Sequence, residues 1–158
     1  LKGFLKIRMM TLKKKLKEIC LERLNDKIDA FQSMVDDLSL DAQNDAKSSA
    51  GDKHETALSM MHLEQENISS KIKENLEIRD IISRIDAEKV SEKVEFGSVV
   101  KINSVMLFFS AALPKINVDE QSVLAVSVDA PIAKELLGKK LNDTFIFNNC
   151  EFKVNYLE

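Results

Sequence analysis

The chain has 158 residues, 44% hydrophobic and 31% charged, with four Gly, two Pro and a net charge of −3. That length holds one ordinary domain, or an extended element with one small domain, and the composition is globular and helix-rich rather than disordered. A negative net charge excludes a protein that coats nucleic acid through bulk positive charge.

At the start, LKGFLKIRMM lacks the long apolar core of a secretory signal, and no later run approaches the roughly 18 apolar residues of a membrane-spanning helix. The expected location is therefore the cytoplasm, with no membrane partner. Because the chain opens on Leu1, Met9 or Met10 is an expected natural start, with the residues ahead of it an extension. Cys20 and Cys150 are far apart and lack metal-ligand spacing, so they are expected to be buried free thiols in a reducing compartment.

From about Thr11 to Lys47 there is no Pro or Gly, and Ile28, Phe31, Val35, Leu38 and Ala42 recur at spacings of three and four. That is the seam of an antiparallel coiled coil. The polar stretch SSAGDKHETA, residues 48–57, turns the chain. In the second arm Met61, Ile68 and Ile82 hold one heptad position, with Asn75 the polar exception, while Leu58, Ile72, Leu76 and Ile85 supply neighbouring apolar positions. Gln65, Asn75 and Arg79 in the seam set register at a cost in stability. Arms of about 35 residues, at about 1.5 Å per residue, reach on the order of 50 Å.

Charge is distributed unevenly along these arms. Residues 1–27 hold nine basic residues against three acidic, while residues 28–66 hold two basic against nine acidic. The pair thus runs from a basic base to an acidic tip near 51–55. Taken alone, Asp52 and Glu55 are ordinary acids of a first helical turn, favoured by the helix dipole.

Residues 87–95 form a charged linker. From Phe96 onward GSVVKINS, VMLFFSA, SVLAVSV, DTFIF and CEFKVNYL read as strands. APIAKELLGKKLND between the third and fourth reads as a short helix, with Pro131 in its first turn and Gly138 at its stop. Asn148 and Asn149 suit the tight turn that joins the last two strands. The expected fold is α+β. A long antiparallel helical hairpin over 1–86 precedes a small antiparallel sheet domain with one short helix over 96–158.

Residues 96–158 resemble the C-terminal domain of the Gre transcript-cleavage factors. The resemblance is carried by Phe96, Gly97 and Val100, by Ser127, Pro131, Ile132, Ala133, Leu136, Leu137, Gly138 and Lys139, and by Asp143 and Tyr156. At the hairpin turn Gly51, Asp52, Glu55 and Ala57 stand in register with the family's G-D-x-x-E-N-A-E-Y.

The resemblance implies an accessory factor of bacterial RNA polymerase, not itself an enzyme. Its coiled coil would enter the secondary channel, and its FKBP-like sheet domain would dock at the channel rim through Asp129, Ala130, Pro131 and Ile132. Asp52 and Glu55 would help the polymerase active site hold Mg²⁺, shared only within the complex, and cut the backtracked RNA. Lys13, Lys14, Lys15 and Lys17 would touch the extruded RNA 3′ end. A monomer is expected, with no cofactor of its own.

Lys53 and His54 stand between the two carboxylates, Thr56 and Ser59 replace an Asn and an aromatic, and Ala130 replaces a Ser before Pro131. These departures leave open a Gre-like channel inhibitor without cleavage activity. From another class come a coiled-coil scaffold or an FKBP-like chaperone. The chaperone is disfavoured because prolyl isomerases ring their pocket with aromatics, and this chain has no Trp and one Tyr.

Overall fold

A computed structural model describes residues 10–46 and 51–158, the side chains of 45, 46 and 51–54 excepted. The turn residues 47–50, and the expected start at Met9, lie outside the described residues.

Helix α1 spans Leu12–Ala46 and α2 spans Gly51–Ser83. Thr11 caps α1, its hydroxyl accepting the Lys14 N–H at 3.2 Å and its carbonyl the Lys15 N–H at 3.1 Å. Leu24 is buried and Ile28, Phe31, Val35, Leu38 and Ala42 are half-buried, while most residues between them are exposed. The expected seam is therefore present on α1. On α2, Leu58, Met61, Gln65, Ile68, Ile72, Asn75, Arg79 and Ile82 form the facing row, three or four residues apart. Leu76 does not join it and is exposed.

Polar residues in the row bind across or along the pair. Gln65 Nε2 donates to Ser39 Oγ at 2.8 Å and to the Val35 carbonyl at 3.4 Å, and Arg79 donates to Asn25 Oδ1 at 2.8 Å. Lys71 lies over the Phe31 ring, 5.8 Å from its centre. These partners fix an antiparallel register. Asn75 turns back instead, its amide donating to the Lys71 carbonyl at 2.7 Å.

Six strands follow: β1 Val99–Ile102, β2 Val105–Ser110, β3 Ile116–Val118, β4 Gln121–Ser127, β5 Thr144–Phe147 and β6 Cys150–Leu157. Their order is β3-β4-β2-β1-β6-β5. Five strands were legible; β3 is an addition, pairing antiparallel to β4 through Ile116↔Val123. The sheet is also not wholly antiparallel, because β2 and β4 run parallel from Met106↔Val123 to Ser110↔Ser127. Phe108 and Phe109 are both fully buried, so β2 is covered on both faces. This explains why VMLFFS reads as a continuous apolar run rather than an alternation.

Helix α3, Pro131–Leu136, lies between β4 and β5, with Pro131 opening it as expected. Its Ala133 and Leu136 join Val94, Val100, Ile102, Leu107, Phe109, Phe145 and Val154 in one apolar core. Gly138 follows at φ +84°, and Asn148 and Asn149 turn the last hairpin at φ 49° and 62°.

The expected linker is sewn into this unit. Val94 is buried, its N–H donating to the Lys139 carbonyl and its carbonyl accepting the Gly138 N–H, both at 2.8 Å. Contacts divide the chain into two compact units, one running from Glu22 to Asp80, the other joining the base of α1 through Leu21 to Ile81–Glu158. Cys20 is buried as expected, whereas Cys150 is exposed: it opens β6 beside the last turn, where little chain covers it.

Candidate functional site

The acidic candidates stand at the start of α2. Gly51 is its first residue, Asp52 its second, and Glu55 lies three positions on. Positions three apart in a helix are neighbours along its surface. Glu55 is exposed. Among the described residues no three His, Cys, Asp or Glu side chains converge to hold a metal ion.

The basic candidates near the base of α1 are engaged within their own unit. Lys13 is 1% exposed, its ammonium donating to the Lys89 carbonyl at 2.6 Å and to Ser91 Oγ at 3.3 Å. Burial pushes that ammonium below its ordinary pKa, against the opposing pull of Glu158, Glu95 and Asp86. Ser91 continues the chain of bonds to Ser98, whose hydroxyl accepts the Glu95 N–H at 2.9 Å. In this structure the cation is enclosed within its own unit. Its aliphatic stem and its charge both serve packing.

Lys14 pairs with Glu88 at 3.2 Å and Lys15 with Asp119 at 2.7 Å. Lys17 donates to the carbonyls of Ser83 at 3.2 Å and Ile85 at 2.6 Å. The last two are carbonyls at and just beyond the end of α2, where a cation favours the dipole. No residue in the sequence KKKLK signals these roles, because every acceptor lies at least 66 positions away.

The third candidate, the loop into α3, has Asp129 and Pro131 exposed and Ala130 and Ile132 half-buried against the apolar core. Ala130 stands at the helix N-cap and supplies no side-chain bond there. Ser127 instead steadies the entry, its hydroxyl accepting the Asp129 N–H at 3.2 Å and its carbonyl the Ala130 N–H at 3.1 Å.

Three further titratable groups lie near the first turn of α1. The Lys89–Glu95 pair at 2.7 Å raises the lysine pKa and lowers that of the carboxyl through their hydrogen bond. Burial, with a bond to Glu158, pushes the Tyr156 phenol up to about 12.

No protein-family model and no curated protein matches the chain. Among solved structures, that of the transcription factor Gfh1 is similar at 21% identity, over 87% of this chain and 92% of that chain, with a TM-score of 0.34. So low a score carries no argument about fold or function, and the Gre resemblance rests on the residues themselves. No helix among the described residues is long and apolar enough to cross a membrane.

Proposed function

We propose that the chain is a Gre-like accessory factor of bacterial RNA polymerase that stimulates cleavage of backtracked RNA. In this reading the helical pair enters the secondary channel, and Asp129, Ala130, Pro131 and Ile132 dock at the channel rim. The extruded RNA 3′ end meets the acidic end of the pair. The observation that carries the reading is the first turn of α2, where Asp52 and an exposed Glu55 occupy positions three apart at the start of a 33-residue helix.

Mg²⁺ prefers oxygen ligands and, in a two-metal site, stabilises the attacking and leaving oxygens of a phosphodiester. Two carboxylates suit part of such a ligand set and cannot by themselves complete it. Asp52 and Glu55 would thus add oxygens to a site formed mainly by the polymerase. Lys14, Lys15 and Lys17 remain the proposed RNA contacts, and each would have to exchange its present partner for a phosphate.

The test is a cleavage assay on stalled, backtracked polymerase complexes with Mg²⁺. Wild type is expected to shorten the RNA and restore elongation; Asp52→Asn and Glu55→Gln are expected to bind and not to cleave. Lys53, a cation between the two acids, favours one other outcome. Binding with slowed elongation and intact RNA would make the protein a channel inhibitor. Failure to bind polymerase would remove both readings.

A further inference from the structure

Beside the start of α1 the sheet carries a cavity of about 480 Å³, a size that suits a small ligand. Its floor is one row of side chains. Lys101 on β1 stands opposite Met106 on β2 and opposite Tyr156 on β6, and residues opposite one another share a sheet face. Val99, Val100 and Ile102, the other residues of β1, are at most 1% exposed, so Lys101 is a half-buried cation within an apolar strand. It makes no ion pair or side-chain hydrogen bond among the described residues.

The walls are held by bonds already formed. Leu12 lines the cavity from α1, and three residues on Lys15 grips Asp119 at 2.7 Å. That pair straps down the β3–β4 turn, where Asp119 and Glu120 take φ 50° and 62°. The Tyr156 hydroxyl donates to Glu158, which anchors the ring. At the rim, Asn155 Nδ2 donates to the Asn103 carbonyl at 3.0 Å. The Asn155 amide oxygen and the whole Gln121 amide have no partner among the described residues. Walls fixed before binding lower its ordering cost.

The surrounding charge selects among ligands. Lys15 and Lys101 stand against Asp119 and Glu158, with Glu120 exposed at the turn, and the bonded groups keep their charges. There is no surplus of positive charge to draw a phosphate dianion. One negative group in direct contact with Lys101 is a different case, because Lys101 alone of these two cations lacks a counterion. Leu12, Met106 and the Tyr156 ring offer apolar contact beside it, and the Gln121 and Asn155 amides can exchange hydrogen bonds with a ligand amide.

We infer that the cavity binds a small organic monocarboxylate with an amide and an apolar side chain, the chemistry of an N-acylated amino acid. Its carboxylate bonds the Lys101 ammonium, its amide meets Gln121 and Asn155, and its side chain lies against Leu12, Met106 and Tyr156. The free C-terminus of a peptide presents the same groups.

Tyr156 is the sole tyrosine and there is no Trp, so tyrosine fluorescence of the full chain reads the cavity directly. Titration with N-acetylleucine is expected to saturate with a dissociation constant on the order of 1 mM. N-acetylleucinamide, which lacks the charge, should bind wild type at least about tenfold more weakly, and Lys101→Gln should weaken N-acetylleucine by a similar factor. Lys153→Gln, at an exposed lysine outside the lining, should bind as wild type does. An unchanged unfolding midpoint would show that Lys101→Gln folds, and the amide ligand tests the charge without any variant.

In isotope-labelled wild type, N-acetylleucine should shift the amides of 101, 106, 119–121 and 155–156. Shifts elsewhere, or no saturation up to about 20 mM, overturn the site. So does equal binding of the acid and its amide. Equal binding by Lys101→Gln and wild type would leave the lysine only a cover for apolar surface, and would overturn the site as well. An acetylated tripeptide ending in a free leucine separates the two sources. Binding about tenfold tighter than N-acetylleucine assigns the site to a peptide C-terminus, and equal or weaker binding assigns it to the small carboxylate.

Discussion

The carboxylate of Glu158 accepts the backbone N–H of Lys13 at 3.3 Å, across 145 positions of sequence. Helix α1 has no acid of its own in its first turn, so Glu158 places a negative charge where the exposed amides and the dipole favour one. The other oxygen of the carboxylate accepts the Tyr156 hydroxyl at 2.5 Å.

This arrangement gives the phenol a measurable signature. Tyr156 is the sole tyrosine and there is no Trp, so near-ultraviolet phenolate absorbance reports it alone. Its midpoint is expected at about 12, above the ordinary 10.0, because burial and the Glu158 bond favour the neutral form. The unfolded chain releases this proton first. Stability is therefore full below pH 10 and falls as pH rises toward 12. Glu158→Gln should move the midpoint down, and Tyr156→Phe should remove this part of the alkaline loss. A midpoint at 10 in the wild type would contradict the buried, bonded phenol.

Lys13 and Lys14 are neighbours with unequal expected effects. Lys13→Ala strands the Lys89 carbonyl and Ser91 hydroxyl inside the unit and removes a buried stem, a loss of about 2–3 kcal/mol. Lys14→Ala breaks an exposed pair and should stay within about 0.5 kcal/mol. Urea unfolding distinguishes them. Lys13 also titrates in the sense opposite to Tyr156: its folded pKa lies below 10.5, so its contribution grows as pH rises toward that value.

The contrast marks what a sequence can and cannot carry. Spacings of three and four, from Ile28 to Ala42, report a helix face because the signal is local. Pro131, Gly138 and the Asn148-Asn149 pair likewise announce their own backbone geometry. Three-residue β3 was not legible, since Ile116–Val118 is too short for an alternation to stand out. Nor was the parallel pairing of β2 with β4, or the burial of Lys13 in a run of exposed-looking lysines. Each depends on a partner far along the chain that leaves no local trace.

Two glycines should respond unequally to alanine. At Gly97, φ is +88° and a Cβ would sit 3.1 Å from Cγ2 of the buried Ile85, so strain and crowding combine. At Gly138, φ is +84° but the Cβ meets open space. Gly138→Ala should cost about 1 kcal/mol and Gly97→Ala about 2–3 kcal/mol, read from unfolding midpoints. Equal losses would mean that Ile85 yields without cost.

The thiols should react at different rates. Cys150 is exposed and Cys20 is buried in the base of α1. A colorimetric disulfide reagent should modify Cys150 in the native chain and Cys20 only on unfolding, with Cys150→Ser leaving a natively silent protein. Two fast thiols would show that the base of α1 opens readily.

Neutralising the acids of α2 separates their two possible roles. As first-turn charges, Asp52 and Glu55 should each contribute about 0.3–1 kcal/mol to stability, screened by salt. As donors of oxygen ligands to a shared Mg²⁺ site, they should matter only to RNA cleavage, and there by orders of magnitude. Asp52→Asn and Glu55→Gln keep side-chain size, so binding should persist while cleavage is lost at every Mg²⁺ concentration. If added Mg²⁺ restores full cleavage, the carboxylates act through affinity for the ion alone. If cleavage survives and only the unfolding midpoint moves, they are helix-end charges and no more.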